Sequence, residues 1–141
     1  MLRFVWLNAA APEVKECYAL RQTVFVEEQG FKEEFDDLDA RCEHLLALEG
    51  NMPVATARLY REGESYHVGR ICVCREKRGS GLGRMLLNEV EIHCVQKGGN
   101  RLVLGAQTRA EGFYSACGYK RFGSEYYEEY CPHVMMEKKL S

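Results

Sequence analysis

Arg70-Ile71-Cys72-Val73-Cys74-Arg75-Glu76-Lys77-Arg78-Gly79-Ser80-Gly81-Leu82-Gly83-Arg84 reads as an apolar strand that breaks into a glycine-rich loop and restarts as a helix. Glycine at 79, 81 and 83 removes the Cβ atoms that hold a ligand away from the backbone. Beyond it, Leu82, Leu86, Val90 and Cys94 recur at every fourth position. A helix that opens from a bare loop presents unpaired N–H groups and the positive end of its dipole. Arg75, Lys77, Arg78 and Arg84 crowd that end with positive charge, so the stretch predicts an anion site, most naturally for phosphate. A turn that needs glycine for geometry alone is the plainer alternative.

Exclusion narrows the ligand. No Gly-Lys pair followed by Ser or Thr occurs in the chain, so the P-loop is absent. The dinucleotide spacing G-x-G-x-x-G fails at Arg84, and Glu91 lies too near to serve as the ribose-binding acid. What remains, Arg78-x-x-Gly81-x-Gly83, resembles the R/Q-x-x-G-x-G/A signature of the GCN5-related N-acetyltransferases, whose successive backbone amides hold the pyrophosphate of acetyl-coenzyme A.

At 141 residues, 46% hydrophobic and 28% charged, the chain is expected to form one globular domain spanning 1–141. A formal net charge of -2 argues against a general nucleic-acid binder. The apolar start Leu2–Leu7 is too short for a signal or membrane segment, so a cytoplasmic protein with a small partner is expected. Seven cysteines without C-x-x-C spacing predict core thiols over disulfides or a zinc site, although Cys72-x-Cys74 and Cys131-x-His133 are the pairs that a metal would need to unite.

In chain order, Leu2–Leu7 predicts a strand. A helix follows from Pro12 to near Gly30, with Val14, Cys17, Tyr18, Val24 and Phe25 as its buried stripe. Glu33 to Asp39 carries five acids and is expected to be mainly a solvated face, with some power to attract a cationic substrate. Strands are predicted at 44–48, 53–61 and 66–74, delivering the chain to the glycine loop. After the central helix stops at Gly98-Gly99, Leu102–Leu104 predicts a buried strand parallel to the one before the loop. Thr108 and Glu111 have capping-box spacing, predicting a helix to Cys117 with Gly118 as its stop. The segments 120–125 and 134–138 predict a last hairpin through the tyrosine-rich segment 126–130. The order β-α-β-β-β-α-β-α-β-β implies an α/β mixed sheet with helices on both faces.

The resemblance widens at Phe113-Tyr114-x-x-x-Gly118-Tyr119, similar to the family's F-Y-x-x-x-G-F segment, with Tyr119 in place of the usual Phe. Leu20-Arg21-x-x-Val24-Phe25-Val26-x-Glu28-Gln29 and Tyr127-Glu128-Glu129-x-x-Pro132-His133 look like the ElaA/YjcF-like branch. The likeness covers nearly the whole chain and implies the acyl-CoA N-acyltransferase fold. It also implies acetyl-CoA as co-substrate without a metal, and transfer of acetyl to an amine by direct attack.

By the same resemblance, Tyr114 is the catalytic acid that protonates the departing thiolate. Ile71, Cys72 and Val73 offer strand backbone to the pantetheine arm. Arg78, Gly79, Ser80, Gly81, Leu82, Gly83, Arg84 and Gln107 complete the coenzyme site. An ammonium acceptor of lysine-like pKa is roughly three pK units, about 4 kcal/mol, on the wrong side of neutrality, so some group must take its proton. Glu28, His67, His133 and water are the candidates. Acyl transfer through Cys72 or Cys74 is disfavoured, because no histidine stands at a telling distance in sequence. A small-molecule amine is the expected acceptor and a peptide amine the second choice, with a homodimer left open. The competing classes are a non-catalytic acyl-CoA sensor and a module whose basic loop docks an acidic partner.

Overall fold

The computed structural model describes residues 1–140, beginning with strand β1 (Leu2–Asn8) and helix α1 (Val14–Arg21). Strands β2 (Glu43–Glu49), β3 (Met52–Glu62) and β4 (Ser65–Val73) follow as an antiparallel meander. Gly50 and Gly63 take φ angles of +62° and +63° in its two tight turns, a conformation that costs glycine no Cβ clash. Helix α2 (Leu82–Gln96) carries the chain back to β5 (Arg101–Gln107), and helix α3 (Glu111–Ala116) leads to the hairpin of β6 (Lys120–Glu128) and β7 (Cys131–Lys139). One seven-stranded sheet results, in the order β1-β2-β3-β4-β5-β7-β6, antiparallel except between β4 and β5. This is the element order and the mixed sheet expected from the sequence.

Alternation along β2 shows how the layers form. Leu45 and Ala47 join the main core with Leu86, Leu87 and Val90 of α2, whereas Leu46 and Leu48 pack with Cys17 of α1. Neighbouring strand residues point to opposite faces, so α1 and α2 lie on opposite sides of the sheet. The fourfold spacing read along α2 is its buried stripe, since Leu82, Leu86, Val90 and Cys94 are all buried.

Several local expectations need correction. The first helix is α-helical only to Arg21; Gln22–Glu28 continues as a π-helical segment, with Gln29 N–H bonded to the Val24 carbonyl five residues back. Its buried stripe includes Arg21, while Tyr18 is only half-buried. The Thr108 capping box does not form: 108–110 is a 3₁₀ turn and α3 starts after Ala110, ending at Ala116. The tyrosine-rich segment is largely strand, because β6 runs through Tyr126 and Tyr127 and only 129–130 form the turn. No helix among the described residues is long and apolar enough to cross a membrane.

Candidate active site

The site begins where the two parallel strands part. β4 and β5 pair only at Tyr66 with Leu102 and His67 with Val103; beyond that, β5 pairs with β7 alone and the rest of β4 with β3 alone. A bulge marks the departure. Thr56 faces Cys72 and Arg58 faces Gly69, so β4 carries one extra residue there, and Arg70 within it has φ +50°. Such a bulge bends its strand and raises its twist, which turns β4 away from β5 and leaves backbone groups on both facing edges without a ladder partner.

The glycine loop lies at the end of the sheet toward which β4 and β5 diverge, because it follows the end of β4 through the 3₁₀ turn Arg75–Lys77 and leads into α2. Gly79 and Gly81 have φ of +78° and +85°. Gly81 is the residue before the helix and has no capping side chain, and the first intrahelical bond is Met85 N–H to the Gly81 carbonyl at 3.1 Å. The amides of Leu82, Gly83 and Arg84 are therefore free of helical partners. A Cβ at Gly83 would lie 3.3 Å from the Phe113 ring, so glycine here lets α3 approach α2. Arg84 Nη2 donates to the Ala116 carbonyl at 3.1 Å, and Ser80 Oγ donates to the Lys77 carbonyl. Arg78 donates from Nε to the Val73 carbonyl at 3.0 Å and pairs through Nη2 with Glu28 at 2.7 Å. It holds the loop's geometry as well as its charge.

A cavity of about 680 Å³ opens on the α1 face, lined by residues of β3 to β7, the π-helical segment and the chain after it. Ile71, Gln107 and Tyr114 reach it; Cys72, Val73 and residues 78–84 do not. Tyr114 is buried, its ring edge-on to Phe113 and Tyr119 at 5.1 and 6.1 Å. Burial pushes its phenol above the ordinary range, and no described residue hydrogen-bonds its hydroxyl. Tyr119 differs: its hydroxyl donates to Glu91 at 2.9 Å, which satisfies it within the core.

The segment after the π-helix forms a strap over this cavity; Glu33, Asp36 and Asp37 are exposed, as a solvated acidic face requires, but the other two acids of the run are not. Glu34 and Asp39 are buried. Arg21, itself only 1% exposed, donates from Nε to Glu34 at 2.9 Å and from Nη1 to Asp39 at 2.7 Å. Arg58 bridges Asp36 and Asp39 at 2.7 and 3.0 Å, and the bulge residue Arg70 reaches Glu34 at 2.9 Å. Three guanidinium groups thus neutralise three carboxylates. The Arg58 bonds hold the Asp36 carboxyl below its usual range. For Asp39, burial acts upward, but the Arg21 and Arg58 bonds outweigh it and hold the carboxyl low. At Glu34 burial dominates and pushes the carboxyl up despite Arg70 and Arg21. At its other end the strap is pinned to the β6–β7 turn, where the Glu129 carboxylate accepts from the Lys32 and Glu33 amides and the Tyr130 hydroxyl donates to the Gln29 carbonyl.

Of the three proton-acceptor candidates, Glu28 is tied to Arg78 and does not line the cavity. His67 lines it, but its ring lies stacked on Tyr60 at 5.2 Å and burial lowers its pKa. His133 lines it with Nδ1 3.0 Å from the Cys131 carbonyl. Cys72 and Cys131 share an apolar cluster with Val24, Phe25 and Phe31, and burial pushes the Cys72 thiol far up, which leaves it a poor nucleophile. Among the described residues no group of three or more His, Cys, Asp or Glu is arranged to hold a metal ion.

Arg58, Arg70, Gln29, Tyr126 and Glu128 were not singled out for the site from the sequence, yet all line the cavity. Gly105 gave the one usable signal, since glycine inside a strand marks a close approach; a Cβ there would collide with the Tyr126 hydroxyl.

The profile of the Acetyltransferase (GNAT) domain matches residues 10–140. The N-acetyltransferase YjcF of Bacillus subtilis, itself uncharacterized, is 32% identical over 130 residues, 89% of this chain and 92% of that protein. Among solved structures, one from Lactobacillus plantarum is 34% identical with a TM-score of 0.92, covering 99% of both chains. Escherichia coli ElaA is 28% identical with a TM-score of 0.86, covering 98% of this chain and 99% of its own. With its divided parallel strands, its glycine loop and this likeness along nearly its whole length, the chain belongs to the GCN5-related N-acetyltransferase family, beside YjcF and ElaA, and is an acyltransferase.

Proposed function

We propose that this acyltransferase, acting as a single domain, moves acetyl from acetyl-CoA to the nitrogen of a small cationic amine by direct attack. The observation that carries the reading is the divergence of β4 and β5, with the glycine loop at its open end and Tyr114 on the cavity beside it. The free amides that open α2 bind the pyrophosphate, and the edge of β4 from Ile71 to Val73, which has no strand partner on that side and whose Val73 carbonyl is taken by Arg78, holds the extended pantetheine arm. A backbone N–H of that edge polarises the thioester carbonyl. The thioester supplies an activated acyl group with sulfur as leaving group, and Tyr114 protonates the sulfur. The raised phenol pKa keeps Tyr114 protonated throughout the neutral range.

The charge of the cavity supports the acceptor class. Glu33, Glu34, Asp36, Glu128 and Glu129 face Arg58, Arg70 and Arg109 along its walls, which leaves two negative charges uncompensated when both histidines are neutral. That balance favours an ammonium over an anionic acceptor. The free state of all seven cysteines suits a reducing compartment, so we place the enzyme in the cytoplasm.

Calorimetric titration with coenzyme A tests the donor site. Saturable one-to-one binding that weakens with added salt is expected, since phosphate contacts are screened by ions. Gly81→Ala places a Cβ at φ +85°, costing about 1 kcal/mol of strain, and is expected to lower coenzyme affinity at least tenfold, more than that strain alone provides. Absence of saturable binding by the folded wild-type protein contradicts the reading.

A further inference from the structure

We infer that His133 Nε2 accepts the proton of the attacking amine, in a tautomer fixed by the Cys131 carbonyl and with Glu128 steadying the imidazolium that forms. This inference rests on the amine-acetylation reading above. The Cys131 carbonyl is only an acceptor, so the 3.0 Å contact requires the proton on Nδ1. Neutral His133 therefore carries its lone pair on Nε2. Glu128 Oε2 lies 3.5 Å from that nitrogen. A carboxylate facing a lone pair gains nothing until the nitrogen is protonated, so Glu128 favours the state that follows proton transfer.

The register puts this imidazole beside the reacting end. His133 is the direct partner of Gln107 on β5 and of Tyr126 on β6, one strand spacing, roughly 4.8 Å, from the β5 edge of the divergence. It lines the same cavity as Tyr114, so an acceptor held in that cavity has this imidazole and the Tyr114 phenol on the same walls. The charged and titratable groups around His133 are Glu128 and Tyr126 on β6, Cys131 on its own strand, Arg109 after β5, Glu129 at the β6–β7 turn and Glu33 on the strap. Burial holds the Tyr126 phenol at about 12, so at neutral pH it is not a base. Of the neighbouring carboxylates, Glu129 is already engaged by the Lys32 and Glu33 amides.

The step balances without an oxidant or reductant. An ammonium acceptor gives up two protons per turnover. One goes to Nε2 and on to solvent, and the other offsets the proton that Tyr114 gives to sulfur. The amine lone pair forms the N–C bond, and the pair of the broken C–S bond goes to the thiolate.

His133→Asn keeps an N–H that can reach the Cys131 carbonyl and lacks the Nε2 lone pair. Its expected effect is a roughly 10²- to 10⁴-fold fall in kcat/KM with loss of the low-pH limb of the pH–rate profile, while acetyl-CoA affinity stays within twofold. Glu128→Gln is expected to lower kcat/KM about threefold to tenfold, modest because Glu128 is half-exposed. For wild type, the limb stays in place across acceptors of different basicity. A limb that moves with the acceptor's own pKa, or persists in His133→Asn at near wild-type rate, overturns the inference while leaving the acetylation reading intact. A wild type that binds acetyl-CoA but acetylates no amine overturns both. Should His133→Asn fail to fold, ¹⁵N shifts of the wild-type imidazole still decide: the Nδ1–H tautomer is expected, and the Nε2–H tautomer overturns the inference.

Discussion

Tyr114→Phe is expected to lower kcat by roughly 10²- to 10⁴-fold while acetyl-CoA affinity and melting temperature hardly move. The ring packs against Phe113 and Tyr119, and Phe retains it. The hydroxyl has no partner among the described residues, so its removal forfeits no hydrogen bond of the folded state, which elsewhere is worth about 1 kcal/mol. A hydroxyl without a partner, on a residue that lines the cavity, is free for the proposed proton transfer. The raised phenol pKa also predicts that Tyr114 adds no alkaline limb to the pH profile near neutrality. The check is kcat with chemistry rate-limiting, alongside thermal melts; a variant at near wild-type kcat removes Tyr114 from the mechanism.

Arg21→Met is expected to destabilise the fold by about 3–5 kcal/mol, because it removes the buried guanidinium shared by Glu34 and Asp39 and leaves each interior carboxylate with one cationic partner in place of two. For a domain of this size that corresponds to a fall of about 10–20 °C in Tm. The guanidinium also lies over the rings of Tyr18 and Phe35, at 5.3 and 5.0 Å, so its loss opens packing as well as charge. Adding Glu34→Gln and Asp39→Asn to Arg21→Met is expected to recover part of the stability, since the buried charges left short of one partner are removed, while Arg58 and Arg70 keep Asp36. A Tm within about 3 °C of wild type for the single variant contradicts this. The network's pH response follows from its shifts. Asp36 and Asp39, held low, contribute stability above the ordinary aspartate range that is lost as pH falls through their lowered values. Glu34, held high by burial, opposes: its carboxylate costs stability as pH rises through the glutamate range. Because the strap walls the acceptor cavity, weakening the network should raise KM for the amine more than the Kd for coenzyme A.

The parts legible in the sequence are those whose cause is local. Gly79, Gly81 and the fourfold spacing from Leu82 to Cys94 act within one turn and one helix, so loop and helix were read in place. The parallel return of β5 followed from the handedness of the crossover. Within the acidic run between Glu33 and Asp39, the burial of Glu34 and Asp39 was missed because their partners are distant in sequence. Arg21 lies 13 residues from Glu34, and Arg70 lies 36; charge pattern alone gives no sign of which acids will be buried. The bulge at Arg70 was equally hidden, since a positive φ on arginine has no composition signal. β6 was read at 120–125 but not in its continuation to Glu128, where Tyr126 is half-buried while Glu125, Tyr127 and Glu128 are exposed, an alternation too faint to separate from a loop. The π-helical segment has no periodicity of its own that a short apolar run could reveal. His133 was found only as one histidine among candidates; its contact with the Cys131 carbonyl distinguishes it.

The central claim, direct acetyl transfer to an amine, is tested most directly by one reaction. The protein is incubated with acetyl-CoA and a panel of cationic amines, free thiol is followed over time, and products and intact protein are weighed by mass spectrometry. The account predicts one acetylated amine for each coenzyme A thiol released, thiol release that depends on the amine, and an unmodified protein mass. Saturable acetyl-CoA binding with no amine-dependent thiol release across the panel, or an acetyl group held on Cys72, would contradict it.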